Sequence, residues 1–421
     1  MQATLIKQAK VIDKHSTFNN KTVDVLIENG IITKIAANID SKEAKVVQGE
    51  NLHISPGFFD PTVHFCDPGD EQKESIESGI KAAASGGFTS VGVLGTTNPA
   101  VTEKTRVEYI RNKGKGTLVT LEPVGCVTAK NEGKELAELY DMNQSGSRYF
   151  YDGKKQLNTG ILSRALAYAK NFDAAILSYP DDKDLTAGGL MHEGTENIKL
   201  GLKGIPAIGE ELGIIRDAYI ANYHNAHLHI ANVSTAGGVE QIKKAKSNGI
   251  KITAQCSIHH LFFTDEDQHG FDTNLKLKPV LRSKSDRDAL IEGLKDGTID
   301  NVTSDHTPQD VESKKMEFDL AEYGAIGIET CFAAFNTVAG KNIGLEKIID
   351  LLSNKSRQVF GLSAPKIEVN AKAEFVIYNP TAEFIPTREK QVSKAYNNPY
   401  IGKKLAGKIE GVINGNCSSV N

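Results

Sequence analysis

A strand-like segment near the start of the chain carries residues with the spacing of half a metal site. It runs Asp60-Pro61-Thr62-Val63-His64. Because side chains alternate along a strand, positions 60, 62 and 64 share one face. Two imidazoles on such a face would begin a divalent-metal site, but Thr62 stands at the first position and its hydroxyl is a poor zinc ligand. The residues therefore raise the question of whether the chain is an enzyme or the scaffold of one.

The middle of the chain, residues 56–363, alternates short apolar runs with segments of helical period. The strand-like runs include residues 89–94, 118–124, 174–178, 227–233, 251–255 and 299–304, and helices are predicted over about 74–85, 209–223 and 236–248. So many repeated βα units indicate a parallel sheet, most simply a closed (β/α)8 TIM-type barrel. Chemistry in such barrels lies where strands end.

The two ends of the chain resemble each other and differ from the middle. A strand pair is predicted around the Asn29-Gly30 turn, and strand-like residues 373–378 and 407–413 precede a second turn at Asn414-Gly415. We therefore predict one small β domain formed by residues 1–55 and 364–421, beside a barrel of residues 56–363.

Composition restricts the class of partner. The 421 residues carry a formal charge of -4, which gives no electrostatic case for nucleic acid or an anionic membrane. No apolar run approaches the ~20 residues of a membrane helix, and no targeting pattern is seen at the N-terminus. The five cysteines are scattered without a paired motif, which predicts reduced thiols and a cytoplasmic protein.

The order of motifs resembles that of the amidohydrolase superfamily, and within it that of dihydroorotase. The motifs include Pro56-Gly57-Phe58-Phe59-Asp60, Gly201-Leu202-Lys203-Gly204-Ile205-Pro206, Pro279-Val280-Leu281-Arg282, Ser304-Asp305-His306-Thr307-Pro308 and Asn398-Pro399-Tyr400-Ile401-Gly402. The resemblance implies a metal-dependent (β/α)8 barrel with a composite β domain. The implied reaction is the reversible ring closure of carbamoyl aspartate to dihydroorotate.

The same resemblance implies that most metal positions hold other residues. The first paired histidine aligns with Thr62, whereas His64 and the catalytic aspartate, Asp305, remain as remnants of the site. The family's bridging aspartate and two further histidines align with Tyr151, Tyr179 and Asn232. A catalytic zinc needs about three protein ligands. We therefore expect no bound cofactor.

The substrate positions implied by the resemblance are altered as well. They hold Cys66, Thr96, Lys278 and Gln309. Cys66 stands where the family has an arginine, and a thiol cannot replace the bidentate fork of a guanidinium toward a carboxylate.

Two other interpretations of the site residues are open. If the alignment shifts by one residue, Asp152 or Asp181 takes a ligand position and part of the metal site returns. Cys66 could also act as a nucleophile beside His64, although a thiol without a fixed base is usually inert.

The remaining polar residues of the barrel have structural interpretations. We expect His259-His260 to be a packing or loop pair. We expect His229 to face away from Asn232, because the two lie three residues apart on a predicted strand. Tyr151 and Tyr179 are expected to fill the volume of the missing metal site, with their hydroxyls bonded to polar groups.

Three functions are consistent with these residues. The leading hypothesis is a non-catalytic dihydroorotase-like protein, a homodimer that acts as a structural or regulatory partner of aspartate carbamoyltransferase in early pyrimidine synthesis. The alternative is a working dihydroorotase with a reduced or altered zinc site. A third is a small-molecule sensor in which Lys278 binds an anion.

Overall fold

The computed structural model describes residues 3–420. In chain order its strands are β1 (Thr4–Val11), β2 (Thr22–Glu28), β3 (Ile31–Ala36), β4 (Lys45–Val47), β5 (His53–Pro56), β6 (Phe58–Val63), β7 (Phe88–Leu94), β8 (Thr120–Val124), β9 (Tyr149–Phe150), β10 (Ala175–Ser178), β11 (Met191–His192), β12 (Gly204–Ile205), β13 (Leu228–Ala231), β14 (Ile252–Ser257), β15 (Asn301–Thr303), β16 (Glu374–Phe384), β17 (Leu405–Asn414) and β18 (Cys417–Ser418).

The α-helices surround these strands in chain order. They are α1 (Ile76–Ser85), α2 (Lys104–Lys113), α3 (Leu139–Gln144), α4 (Thr159–Ala169), α5 (Lys183–Thr186), α6 (Thr195–Leu200), α7 (Ile208–His224), α8 (Ala236–Ser247), α9 (Ile258–Phe262), α10 (Lys284–Asp296), α11 (Val311–Lys314), α12 (Cys331–Ile343), α13 (Leu345–Leu352) and α14 (Asn354–Val359). Short 3₁₀ helices lie at Ala129–Asn131, Lys170–Phe172, Asp265–Gly270, Thr273–Leu275 and Arg388–Lys390.

Parallel strands from the middle of the chain close into a barrel. One run is β6-β7-β8 and the other is β15-β14-β13-β10-β9. A parallel bridge between Gly125 and Phe150 joins the two runs, and the amide of His64 donates to the carbonyl of His306 at 2.9 Å on the opposite side. Every residue of β6 is buried, as expected for a strand covered on both faces. The predicted (β/α)8 barrel is confirmed.

A second sheet contains strands from both ends of the chain. Its order is β18-β17-β16-β5-β1-β2-β3, with β4 beside β1. The two ends meet where β16 pairs antiparallel with β5, with Phe375 opposite Pro56. The predicted sheet from both chain ends is therefore confirmed, and the boundaries at residues 55 and 364 stay predictions.

The predicted helices agree closely with α1, α7 and α8. Local signals explain this agreement: Ser75 caps the N-terminus of α1 through the amide of Ser78. Strands β9, β11 and β12 escaped prediction because two residues cannot show a period. None of the helices in the described part of the chain combines the length and apolar character needed to cross a bilayer.

Candidate functional site at the barrel end

Two adjoining cavities of about 500 and 310 Å³ lie at the end of the barrel where the strands terminate. Both are lined by Lys154, Lys155 and Asn232. The smaller one contains Thr62, His64, Tyr151 and Asp305, and the larger one contains Tyr179 and Lys278. All six predicted metal positions therefore line these two adjoining cavities. Two of the predicted substrate positions, Cys66 and Gln309, line neither cavity.

Thr62 belongs to a hydrogen-bond network of hydroxyl and amide groups that crosses the barrel interior. Its Oγ1 lies 3.0 Å from Thr303 Oγ1 and accepts from Gln255 Nε2 at 2.9 Å. The same amide nitrogen donates to Asn232 Oδ1 at 2.7 Å. Buried Asp60 anchors the network by accepting from Thr303 Oγ1 at 2.7 Å. These side chains therefore form one connected network of hydrogen bonds, as is usual for buried polar groups.

The imidazole of His64 has both nitrogens engaged by its neighbours. Nε2 lies 3.1 Å from the carbonyl oxygen of Thr96, which can only accept, so Nε2 carries the proton. Nδ1 accepts from the amide of Cys66 at 3.2 Å. Burial lowers the pKa of His64 and favours this neutral form. Neither nitrogen therefore presents a free lone pair to a metal ion.

Cys66 is buried and its thiol is a poor nucleophile. Burial raises its pKa to about 12, so the thiolate needed for nucleophilic attack is scarce at neutral pH. This argues against the covalent alternative. We expect iodoacetamide at pH 7.5 to leave Cys66 unmodified in the native protein while labelling the partly exposed Cys417. Peptide mass spectrometry of native and urea-unfolded samples measures both sites, and rapid native labelling of Cys66 would contradict the expectation.

Two tyrosines occupy the interior at positions where the resemblance implies an aspartate and a histidine. Tyr151 is 3% exposed and its hydroxyl donates to the carbonyl of Ala231 at 2.7 Å. Tyr179 is also buried, and the Nζ of Lys278 lies 5.3 Å from the centre of its ring. The predicted packing of both rings and the predicted hydroxyl bond of Tyr151 are confirmed.

Asp305 keeps its place after β15 but its carboxylate has a protein partner. Oδ1 lies 2.7 Å from the Nζ of Lys154, and the two side chains are 6% and 24% exposed. The ammonium group therefore pairs with Oδ1, whereas Oδ2 is buried without a hydrogen-bond partner among the described residues.

Neither carboxylate of the shifted alignment completes a metal site. Asp152 accepts from the amides of Val127 and Thr128 at 2.7 and 3.0 Å and also from the Thr128 hydroxyl. Asp181 lies 3.9 Å from Lys278, at the wall of the larger cavity. Within residues 3–420, no three His, Cys, Asp or Glu side chains converge around a point that could hold an ion. The hydroxyl, amide and phenol groups present do not fit zinc.

The four predicted substrate positions separate in space. Lys278 lines the larger cavity, and Thr96 lines the smaller one. Cys66 lines neither of them. Gln309 does not reach either cavity, because its Nε2 donates to the carbonyl of Tyr323 and its amide donates to Asn397. The interpretation of Cys66, Thr96, Lys278 and Gln309 as altered substrate positions stays a prediction.

Of the two expectations for histidines outside residues 60–64, one is correct and one is wrong. His259 and His260 pack as predicted, with His259 Nδ1 3.0 Å from Tyr400 Oη and His260 Nε2 3.1 Å from the carbonyl of Val280. His229 was expected to face away from Asn232. It instead contacts Gln255 at 3.1 Å, in the same network as Asn232, because β13 ends at Ala231 and strand alternation does not extend to Asn232.

Sequence reasoning missed Lys154 and Gln255. Lys154 follows the glycine after a predicted ligand position, so a cation directly after a strand end was the available signal. Gln255 lies in the apolar strand β14, and a lone amide in such a strand indicates a buried polar partner.

Comparison with known proteins decides the family. The profile of a family described as Dihydro-orotase-like matches residues 52–237. The chain is 39% identical over 413 residues to a protein named dihydroorotase from Caldanaerobacter subterraneus subsp. tengcongensis, covering 97% of this chain and 95% of that one. The chain belongs to the dihydroorotase family. A dihydroorotase from Ruminiclostridium cellulolyticum is 38% identical, covering 98% of this chain and 97% of that one.

Solved structures support the fold of this dihydroorotase-family protein. It superposes on the L-hydantoinase (dihydropyrimidinase) from Arthrobacter aurescens with a TM-score of 0.87 at 20% identity, covering 100% of this chain and 96% of the other. A dihydropyrimidinase from Brevibacillus agri gives a TM-score of 0.85. These neighbours have the same fold as this chain.

Proposed function

We propose that this member of the dihydroorotase family has lost zinc-dependent ring chemistry and serves early pyrimidine synthesis as a structural or regulatory component, with aspartate carbamoyltransferase as its partner. The observation that carries the proposal is the bonded interior of the barrel end. Gln255 Nε2 donates to both Thr62 and Asn232, and Lys154 pairs with Oδ1 of Asp305. A barrel with these contacts keeps a surface for a partner without a reaction centre.

Zinc-dependent ring chemistry would require specific groups in this site. A zinc ion supplies hydroxide near neutral pH and polarises the amide carbonyl of the ring. The residues of this chain would have to hold that ion and move a proton beside it. Tyr151 remains protonated because burial raises its pKa well above 10, and Asp305 is engaged by an ammonium group. Tyr151 therefore supplies no ligand, and Oδ2 of Asp305 is the one carboxylate oxygen of the pair that Lys154 leaves open.

The names of the relatives favour a different candidate, an active dihydroorotase. Eight relatives that are 35–39% identical over nearly the full chain all carry that name. A zinc-loaded enzyme would need the interior network to open, with His64 turning from Thr96 and Asp305 leaving Lys154. Metal content and turnover decide between the two candidates.

We expect the purified chain, after incubation with zinc and gel filtration, to contain far less than one zinc per chain and to hydrolyse no dihydroorotate. Metal analysis and loss of dihydroorotate absorbance measure these quantities. The Caldanaerobacter relative is the positive control. An Asp305→Asn variant separates any turnover by this chain from that of a contaminant. Stoichiometric zinc with turnover that Asp305→Asn abolishes would overturn the proposal and establish the active enzyme.

The larger cavity supports the third candidate, a sensor for small anions. Its lining carries more cationic than anionic side chains: Lys154, Lys155, Lys183, Lys278 and Arg282 against Asp181 and Glu210. Carbamoyl aspartate and dihydroorotate are both anionic, so a thermal shift with either ligand that Lys278→Met removes would support this candidate. No shift with either ligand would count against it.

A further inference from the structure

A second pair of adjoining cavities lies at the opposite end of the barrel, where the strands begin. Their volumes are about 360 and 440 Å³, and both are lined by Asp173, His227 and Thr253. Asp173 lies just before β10, His227 lies directly before β13, and Thr253 is the second residue of β14. The length of the barrel therefore separates these cavities from the candidate site. We call the 360 Å³ cavity the lower cavity.

The lower cavity has more cationic than anionic side chains in its lining. Arg148, directly before β9, and Lys355, on α14, both line it. Asp173 is the one carboxylate among the described residues of this lining, and it is exposed to solvent. The adjoining cavity adds Lys170 and Lys251. A cleft with an excess of one charge attracts ions of the opposite charge, so the lower cavity favours an anion.

The acidic groups behind the lining leave this charge largely in place. Asp300 lies 3.8 Å from Lys355, but its carboxylate is closer to Lys246, at 2.7 Å, and also accepts from the amide of Ala254. Glu122 of β8 acts on Arg148, and burial raises the pKa of this carboxyl and favours its uncharged form. The lower cavity therefore keeps its cationic character.

His227 begins a chain of hydrogen bonds that crosses the barrel interior to the candidate site. Its Nε2 lies 2.8 Å from Thr253 Oγ1, and the same oxygen lies 2.9 Å from His229 Nδ1. His229 Nε2 in turn lies 3.1 Å from Gln255 Oε1, and Gln255 Nε2 donates to Thr62. Consecutive side chains thus connect the lower cavity with the network at the barrel end.

The protons of this chain have one consistent arrangement. Gln255 Oε1 can only accept, so His229 carries its proton on Nε2. Burial lowers the pKa of His229 to about 3, so its Nδ1 has no proton and accepts from the Thr253 hydroxyl. The single hydroxyl proton of Thr253 is used in that bond, so its Oγ1 accepts from His227 Nε2. Nδ1 is therefore the nitrogen of His227 that remains for a ligand.

We propose that the lower cavity binds the phosphate group of a small molecule between Arg148, Lys355 and His227, and that His227 takes up a proton on Nδ1 as the anion binds. A tetrahedral oxyanion can offer a separate oxygen to each of the three side chains, whereas a carboxylate has only two oxygens. A cavity of this volume also holds an organic group beside the phosphate. The site does not depend on whether the barrel end binds zinc, since no residue lines both.

The proton on His227 makes binding dependent on pH. Burial lowers the pKa of His227, so the free side chain is neutral near pH 7. A bound dianion favours the charged imidazole and raises this pKa, so binding is tightest at low pH and weakens as pH rises. The other titratable and charged groups around the imidazole are Asp173, Asp300, Arg148, Lys170, Lys251, Lys355 and His229.

Calorimetric titration of the full chain with sulfate tests the site, because sulfate keeps its double negative charge between pH 6 and pH 8. We expect the wild type to bind sulfate about tenfold more tightly at pH 6 than at pH 8, at constant ionic strength. Arg148→Met should weaken binding at pH 6 by at least about tenfold, the size of a lost charge-assisted hydrogen bond. Arg164→Met, at an exposed position of α4, is the matched control and should bind like the wild type. Circular dichroism establishes that each variant is folded.

His227→Gln separates the proton from the hydrogen bond. Glutamine Nε2 can still donate to Thr253 but cannot take up a proton, so the difference in affinity between pH 6 and pH 8 should disappear. Two-bond ¹H–¹⁵N correlation spectra of protein labelled with ¹⁵N-histidine report the position of the proton directly. We expect His227 to carry its proton on Nε2 at pH 8 and to be protonated on both nitrogens with sulfate at pH 6. The His227→Gln spectrum identifies the signal.

Several results would overturn the proposal. They are absence of sulfate binding at pH 6, an affinity that Arg148→Met leaves unchanged, a pH dependence that His227→Gln retains, and a neutral His227 with its proton on Nδ1. Lys278→Met locates the anion, because Lys278 lines only the larger cavity of the candidate site. This variant should bind sulfate like the wild type. Binding that Lys278→Met removes and Arg148→Met leaves intact would show that the anion occupies the candidate site instead.

Discussion

Replacing Arg357 by methionine is expected to lower the free energy of unfolding by about 3–5 kcal/mol, the usual cost of breaking a buried ion pair. Arg357 lies on α14 and is 2% exposed. Its guanidinium donates to the carbonyl of Gly57, to Thr89 Oγ1 at 3.1 Å and to Glu374 Oε1 at 2.9 Å. One side chain thus ties Gly57, directly before β6, and Thr89 of β7 to β16 of the composite sheet. Methionine removes all three of these hydrogen bonds, and it leaves Gly57 and Glu374 Oε1 with only the hydroxyl donors of Ser353 and Thr89.

The measurement is chemical denaturation followed by circular dichroism and tyrosine fluorescence. Arg357→Lys should be intermediate, because an ammonium keeps the charge but cannot reach three acceptors in a planar fork. Arg164→Met, at an exposed position of α4, is the control and should change stability by less than about 0.5 kcal/mol. If Arg357→Met unfolded at the wild-type midpoint, the junction would not depend on this contact.

The barrel and the composite sheet could be predicted because their signals are local. Apolar runs of strand length, helical periods and the turns at Asn29-Gly30 and Asn414-Gly415 each depend on a few consecutive residues. The structure places α7 and α8 within a residue of the predicted bounds. The two-residue strands could not be predicted from local signals, because their positions are set by partners distant in sequence.

The contacts of the candidate site could be predicted only in part. Alignment to the family located Thr62 and Asn232, but not the amide of Gln255 that joins them across 193 and 23 residues of sequence. The ion pair between Lys154 and Asp305 likewise forms only when the barrel closes. The resemblance predicts which positions differ from the family pattern, and the three-dimensional arrangement determines which groups bond to the residues at those positions.

Replacing Lys154 by methionine is expected to destabilise the protein by about 2 kcal/mol, less than a fully buried pair because Lys154 is 24% exposed. The loss arises from the carboxylate of Asp305, which is left without a counterion in a site that is 6% exposed. The double variant Lys154→Met with Asp305→Asn should regain most of the stability, since it removes the charge together with its partner. Chemical denaturation of the wild type, both single variants and the double variant completes a double-mutant cycle, which gives the interaction free energy between Lys154 and Asp305.

The same Lys154→Met variant bears on the proposed function through its metal content. If Lys154 only blocks an otherwise usable zinc site, freeing Asp305 should raise the bound zinc toward one ion per chain. We expect it to remain far below that value, because His64 is bonded through both nitrogens and Thr62, Tyr151 and Asn232 contribute no zinc ligand. Zinc uptake by this variant, accompanied by dihydroorotate hydrolysis, would show that a single ammonium group separates the scaffold from the enzyme.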